Sequence, residues 1–324
     1  MDIKEVLEIL GEDWISMKAR IGAALRTDIT LLQITNDSIL KNSGKMLRPM
    51  LSLLCARLCS GGKVNDDSLR YAASSELLHN ATLLHDDVAD GSATRRGAPT
   101  VMSLLGPSAA VLVGDFWLSR SVELLLNSEH HEEVVRMFAK TISDLAEGEM
   151  LQLQKAGSVD TTEEDYYRII YCKTASLFEA ACMSGAVSVD ATPAQKEAVG
   201  IYADALGKAF QIKDDILDYD GNEELGKPVG VDIKEQKITL PLLGAMANSD
   251  KAEEVRACVR DIVDNPGYCD QITAFVKVNG GIEYAAARLD EFIERAKRAL
   301  DIFPDSPEKT ALVALAEFNV LRRK

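Results

Sequence analysis

Apolar residues recur at three- and four-residue intervals through most of this chain. That spacing lines one face of an α-helix, and the period-two alternation of a half-buried strand is hard to find. The stretch from Ser68 to Val88 carries the pattern clearly, with Leu69, Ala72, Ala73, Leu77, Leu84 and Val88 toward one side. Loop signals break the periodic segments at Ser60-Gly61-Gly62, from Asp90 to Pro99, at Ala156-Gly157-Ser158, from Asp220 to Gly230, at Asn265-Pro266-Gly267 and from Pro304 to Pro307. Thr162, with Asp165 three residues on, is an acidic variant of the capping box and predicts a helix from there through Tyr166 to Phe178. The pattern predicts an all-α fold. No segment is long, low in complexity or linker-like, so a single domain over residues 1–324 is expected.

Composition narrows the function classes. The 324 residues are enough to bury a substantial core, and 47% hydrophobic with 27% charged residues describes an ordinary soluble protein. A net charge of −15 argues against nucleic acid or an anionic membrane as the main partner, since both demand basic surface. No apolar run reaches the roughly 18 residues of a membrane span, so no stable membrane insertion is expected. Acidic residues from the second position and the lack of an apolar h-region argue against a signal peptide, and the expected location is cytoplasmic. The six cysteines show no CxxC spacing and read as reduced core residues.

Within this acidic chain one pattern occurs twice: Asp86-Asp87-Val88-Ala89-Asp90 and Asp214-Asp215-Ile216-Leu217-Asp218, each in an apolar stretch that reads as helix. Residues four apart on a helix share a face about 5–6 Å apart at Cβ. Asp86 with Asp90, and Asp214 with Asp218, can therefore each form a carboxylate claw, which Asp87 and Asp215 widen. Uncompensated, six such carboxylates repel one another and resist burial. Cations between them resolve the conflict. Mg²⁺ suits the donors best, because it accepts one or two carboxylates, keeps several waters and completes its octahedron with substrate phosphate oxygens.

A glycine-bearing loop with cationic side chains follows each claw: Arg95-Arg96 after the first, Lys227 after the second. Gly44-Lys45-Met46-Leu47-Arg48-Pro49 puts Lys45 and Arg48 where a helix should begin, near backbone N–H groups that favour anions. Arg95-Arg96 suits bidentate phosphate recognition. Taken singly, these residues and Lys173, Thr174, Gln211, Lys227 and Lys237 read as ordinary solvated or satisfied side chains. His79 and His85 are six apart, which does not suit a shared zinc site; His85 reads as structural, and His79 as a donor to an anionic ligand.

Together these runs, with Gly114-Asp115-Phe116, Phe210-Gln211, Gly226-Lys227-Pro228-x-Gly230-x-Asp232 and Lys237-x-Thr239-Leu240-Pro241, resemble the trans-isoprenyl diphosphate synthases (polyprenyl synthetases), in that family's order over positions 44 to 241. Similarity is greatest to the long-chain, octaprenyl-type branch. The resemblance implies an isoprenoid-synthase helical bundle around a deep central cavity, acting as a homodimer that joins isopentenyl diphosphate to an allylic diphosphate (geranyl, farnesyl or geranylgeranyl). It further implies three Mg²⁺ ions per site, held by Asp86, Asp87, Asp90, Asp214, Asp215 and Asp218 directly or through water. By the same carry-over, Arg95, Lys173, Thr174, Gln211, Lys227 and Lys237 serve the allylic diphosphate, while Gly44, Lys45, Arg48, His79 and Arg96 form the isopentenyl diphosphate site. Asp86, Asp87, Asp90, Lys173, Thr174, Asp214 and Asp215 are the expected catalytic set.

Product length is the finer question. A growing tail running back along the first Asp helix passes Ala81 and Thr82 about 6–8 Å below the metals and Leu78 about 12 Å below, at 1.5 Å per residue. In the family's short-product branch bulky aromatics near the first two positions close the tunnel; here the residues are small. Ser74 and Ser75, small as well, extend the room, unless they serve close helix packing. A medium or long all-trans product is expected, for isoprenoid or quinone side-chain synthesis. Two other readings stand beside this one: a class I terpene cyclase, which needs no second-substrate site, and a non-catalytic subunit of a heteromeric synthase, which would be expected to lack part of one claw.

Overall fold

The computed structural model describes residues 1–220 and 230–321 and is built from helices. Along the chain these are α1 (Ile3–Ala24), α2 (Thr30–Lys41), α3 (Leu47–Ser60), α4 (Asp66–Ala89), α5 (Val101–Leu105), α6 (Pro107–Leu126), α7 (His131–Ser158), α8 (Glu163–Ile170), α9 (Ser176–Val187), α10 (Pro193–Asp220), α11 (Val231–Lys234), α12 (Leu240–Ala247), α13 (Ala252–Arg260), α14 (Tyr268–Val278), α15 (Gly281–Ala299) and α16 (Pro307–Leu321). Among the described residues the only strands are Thr94–Arg95 and Ala98–Pro99, an antiparallel pair just after the first acidic motif. All six cysteines are unbridged. None of the described helices is long and apolar enough to cross a membrane.

Contacts gather the chain into two compact units. The first comprises Met1–Ala139, Ala180–Val199 and Phe303–Leu312. Its central element is α4, which packs most extensively on α6 and also on α3 and α1. Asn65 starts α4: its side chain accepts the Ser68 amide at 2.9 Å, and Ser68 Oγ accepts the Asn65 amide at 3.2 Å, a capping box in which serine does the usual work of glutamate. Asp66 and Asp67 in the first turn suit the positive end of the helix dipole. Tyr71, Ala72, Ala73, Leu77, Leu78, Ala81 and Leu84 are all buried, so α4 is enclosed on several sides. Small residues permit the close approach of α6. The Ser74 and Ser121 hydroxyls lie 2.7 Å apart, Ser74 Oγ donates to Ser121 O (3.1 Å) and Ser121 Oγ donates to Ser74 O (3.0 Å). Ser74 thus belongs to helix packing here, and Ser75 turns its hydroxyl back to the Ala72 carbonyl.

The second unit comprises Lys140–Glu179, Gly200–Ile302 and the segment from Val313. Its core gathers Tyr219, Ile233, Ile238, Leu242, Met246, Val259, Ile272 and Val276, with α12 packed on α15 and α14. The capping box predicted at Thr162 is present: the Asp165 amide donates to Thr162 Oγ1 (3.1 Å) and the Thr162 amide to Asp165 Oδ2 (3.0 Å). Lys155, 2.8 Å away, holds the Asp165 carboxyl down at about 2. The helix expected to continue to Phe178 is interrupted. Residues Tyr171–Ala175 form a π-helical turn between α8 and α9, the kind of bulge often found at functional sites. Gly148 of α7 lies against it so closely that a Cβ there would stand 2.6 Å from Cys172 Cβ and 3.1 Å from the Lys173 amide nitrogen.

Candidate active site

In the first unit the acidic motif closes α4. Asp86 is half-buried, Asp87 only 4% exposed and Asp90 exposed as the C-cap residue. The Ser92 amide donates to the Asp87 carbonyl (2.9 Å), and the short strand pair brings Arg95 back toward the helix. Arg95 Nε then donates to Asp87 Oδ1 at 2.7 Å. The arginine expected to face a diphosphate is therefore engaged with the middle carboxylate of its own motif. His85 stands 3.3 Å from Asp115 and 3.4 Å from the Val111 carbonyl, both on α6, in keeping with a structural role.

Beside this lies a basic cluster. Gly44 and Arg96 both adopt positive φ, +59° and +53°. A Cβ at position 44 would lie 2.5 Å from Arg96 Nη1 and 2.7 Å from its Cζ, so only glycine admits the guanidinium, which donates to Asn42 O at 3.3 Å. Arg48 occupies the first turn of α3, and burial lowers its pKa to about 10, with the nearby charge of Glu76 opposing and that of Arg96 assisting. Glu76 is 2% exposed. Its Oε1 accepts Asn80 Nδ2 at 3.0 Å, its Oε2 is buried without a hydrogen-bond partner, and burial raises its pKa against Asn80, Arg48 and Arg96. Burial and then Arg48, Arg96 and Arg95 depress the His79 imidazole well below its usual value, so it is neutral at pH 7. Gly44, Arg48, His79 and Arg96 are thus brought together; Lys45 is exposed just before α3.

The second unit carries the other motif near the end of α10. Asp214 is exposed, Asp215 is 4% exposed and Asp218 half-buried. Asp215 accepts two hydrogen bonds: Tyr166 OH to Oδ2 at 2.7 Å and Gln211 Nε2 to Oδ1 at 2.9 Å. Gln211 Oε1 in turn accepts Thr174 Oγ1 at 2.8 Å. Burial and the charge of Asp232 push the Asp215 carboxyl well above the usual carboxylate range, opposed by those two bonds. Asp218 accepts the backbone amides of Val231 and Asp232, each at 3.1 Å, and so ties α10 to α11. Asp232 is pushed up to about 6 by burial and Asp218, with Lys237 opposing. Lys173 pairs with Glu149 at 2.7 Å and reaches Gln152 at 3.4 Å, and Lys237 pairs with Glu235. A cavity of ≈ 80 Å³ opens among Tyr166, Lys173, Gln211, Asp215, Asp232 and Lys237. Lys227 and the basic end at Arg322-Arg323-Lys324 lie outside the described residues.

The donors fit a hard divalent ion. Oxygen ligands crowd together and raise one another's pKa, the situation a bound cation relieves. Among the described residues no three potential ligands yet converge on one point. Of the residues expected to line the product path, Leu78 and Ala81 are buried at 1% exposure, and Thr82 is half-buried with its hydroxyl on the His79 carbonyl at 2.9 Å.

Sequence reasoning passed over Tyr166, Glu76, Asn80 and Glu149. Glu76 had a signal, an acid inside an apolar helical run. Tyr166, Asn80 and Glu149 had none.

The family model for Polyprenyl synthetase matches residues 29–275. The octaprenyl diphosphate synthase of Escherichia coli (strain K12) is 36% identical over 325 residues, 99% of each chain. Among solved structures, a decaprenyl diphosphate synthase from Rhodobacter capsulatus superposes with a TM-score of 0.92 at 36% identity, covering 100% of both chains. A polyprenyl synthase from Caulobacter crescentus CB15, complexed with calcium and isoprenyl diphosphate, gives 0.90 at 34% identity, covering 100% of this chain and 98% of the other. With full-length similarity and the acidic and basic motifs in order, this chain belongs to the polyprenyl synthetase family and is a prenyltransferase.

Proposed function

We propose that this prenyltransferase condenses isopentenyl diphosphate with an allylic diphosphate such as farnesyl diphosphate, and repeats the step to make long all-trans chains. The observation that carries this reading is the basic cluster of Gly44, Arg48, His79 and Arg96, because a second diphosphate needs its own site and a terpene cyclase has no use for one. Both acidic motifs keep all their carboxylates, which disfavours a non-catalytic subunit. The family match runs across both units, which supports a single working domain over residues 1–324.

Asp86, Asp87, Asp90, Asp214, Asp215 and Asp218 would hold Mg²⁺ directly or through water, with three ions per site. The protein donors on Asp87, Asp215 and Asp218 would orient those three carboxyls. When bound, Mg²⁺ supplies charge neutralisation for the leaving diphosphate. Lys173, Lys227 and Lys237, with Arg95 and Gln211, would bind that diphosphate as the allylic C–O bond breaks and its electron pair leaves with oxygen. Lys45, Arg48, His79 and Arg96 would hold isopentenyl diphosphate while its double bond attacks the allylic cation. The new C–C bond forms, and the proton lost from the adjacent carbon passes to the departing diphosphate. No protein nucleophile is required. Thr174 gives its one hydroxyl proton to Gln211, leaving only lone pairs for other partners, which favours a place beside the cation over one on the phosphate.

Exposed Leu104 and Leu105 on α5 and Leu112 on α6 favour a second copy of this chain as partner. A bound calcium and isoprenyl diphosphate in the Caulobacter relative support the ligand assignment. Incubation with farnesyl diphosphate, isopentenyl diphosphate and Mg²⁺ tests the reading: extended diphosphates are expected, and failure to incorporate any isopentenyl unit would refute it. A cyclic hydrocarbon or alcohol would mean a cyclase.

A further inference from the structure

Tyr166 has no role in the chemistry above, yet it anchors a four-member side-chain relay in the second unit. Its ring is 3% exposed, stacks edge-on with Tyr167 at 5.5 Å and lines the ≈ 80 Å³ cavity. It rides on the first turn of α8, held by the Thr162–Asp165 capping box. From its hydroxyl, hydrogen bonds run to Asp215 (2.7 Å), from Gln211 to Asp215 (2.9 Å) and from Thr174 to Gln211 (2.8 Å).

The relay has a direction. Gln211 turns its NH₂ toward Asp215 Oδ1 and its carbonyl oxygen toward Thr174. Thr174 can then only donate to Gln211. Were the amide reversed, its NH₂ would face Thr174, whose proton would then be free to point elsewhere. Tyr166 holds Oδ2 and so fixes the carboxyl plane that keeps Oδ1 aimed at Gln211.

We propose that Tyr166 is a positioning residue for prenyl transfer: through Asp215 and Gln211 it holds the Thr174 proton away from the substrate and keeps the Thr174 oxygen lone pairs available to the allylic cation. This rests on the prenyl-transfer reading, and the two fail differently. A wild-type protein that incorporates no isopentenyl unit sinks that reading. An active wild type with an indifferent Tyr166 sinks only this one.

The test is a double-mutant cycle on the condensation of farnesyl with isopentenyl diphosphate. Tyr166→Phe should lower kcat by about tenfold while both KM values stay within about twofold and the melting temperature moves little, a split that simple loosening of the fold would not give. In a Thr174→Val background, where no hydroxyl remains to orient, the same change should lower kcat by less than about twofold. Unchanged kcat in Tyr166→Phe, or an equal loss in both backgrounds, overturns the proposal. Should Tyr166→Phe not fold, Gln211→Met breaks the relay one link later and is read by the kcat ratio between the Thr174 and Thr174→Val backgrounds alone: an equal loss in both overturns the proposal.

Discussion

The carboxylates of one motif are unequal. Asp87 holds Arg95 at 2.7 Å in a buried position, whereas Asp86 and Asp90 are more open. Asp86→Ala should therefore cut kcat by about a hundredfold or more with little change in melting, since it removes a ligand that acts in the transition state. Asp87→Ala should lower activity and also cost about 1–2 kcal/mol of stability, a figure discounted because Arg95 is partly exposed; comparison of kcat and urea midpoints for the two variants checks this. His79 adds a pH dependence. Its imidazole is held neutral in the folded state by burial and by Arg48, Arg96 and Arg95, while in the unfolded chain it titrates near 6.5. Below that pH the unfolded chain binds a proton that the folded one refuses. Stability is then fully present above about pH 7 and falls by up to about 1.4 kcal/mol per pH unit below 6.5. Urea titrations at pH 7.5 and 5.5 should reveal a loss in the wild type that His79→Asn lacks.

At the scale of elements, the π-helical turn Tyr171–Ala175 and the α7 backbone behind it form one device. A methyl at Gly148 would strike Cys172, so Gly148→Ala should cost about 1–3 kcal/mol and shift Lys173 relative to Glu149. A lower melting temperature together with reduced kcat is the expected reading. On α4, Ala81 is buried below the first motif, and Ala81→Phe should shorten the product distribution if the prenyl tail passes there. Unchanged product lengths in a folded variant would remove the tunnel argument. Both elements show what was legible beforehand. The α4 helix, its period and the position of its acidic end were predictable because all three are local. The π turn was not, since Tyr171 to Ala175 read as ordinary helix and only the approach of Gly148 makes the bulge intelligible.

For the whole molecule, the proposed metal assignment predicts that activity depends on a divalent ion. Chelation with EDTA should abolish condensation, and added Mg²⁺ should restore it without refolding; activity that persists in EDTA would contradict the metal assignment. The reading of class and family came from local information. A 3.6-residue period, capping residues and i,i+4 acidic spacing are set by helix geometry, and the chain states them directly. Which partners the Asp87 and Asp215 carboxylates take was decided by tertiary structure alone. Arg95 reaches Asp87 because a two-residue strand pair folds it back, and Tyr166 meets Asp215 across 49 positions of chain. Such pairings depend on how helices pack, and packing sums many weak contacts between residues far apart in sequence.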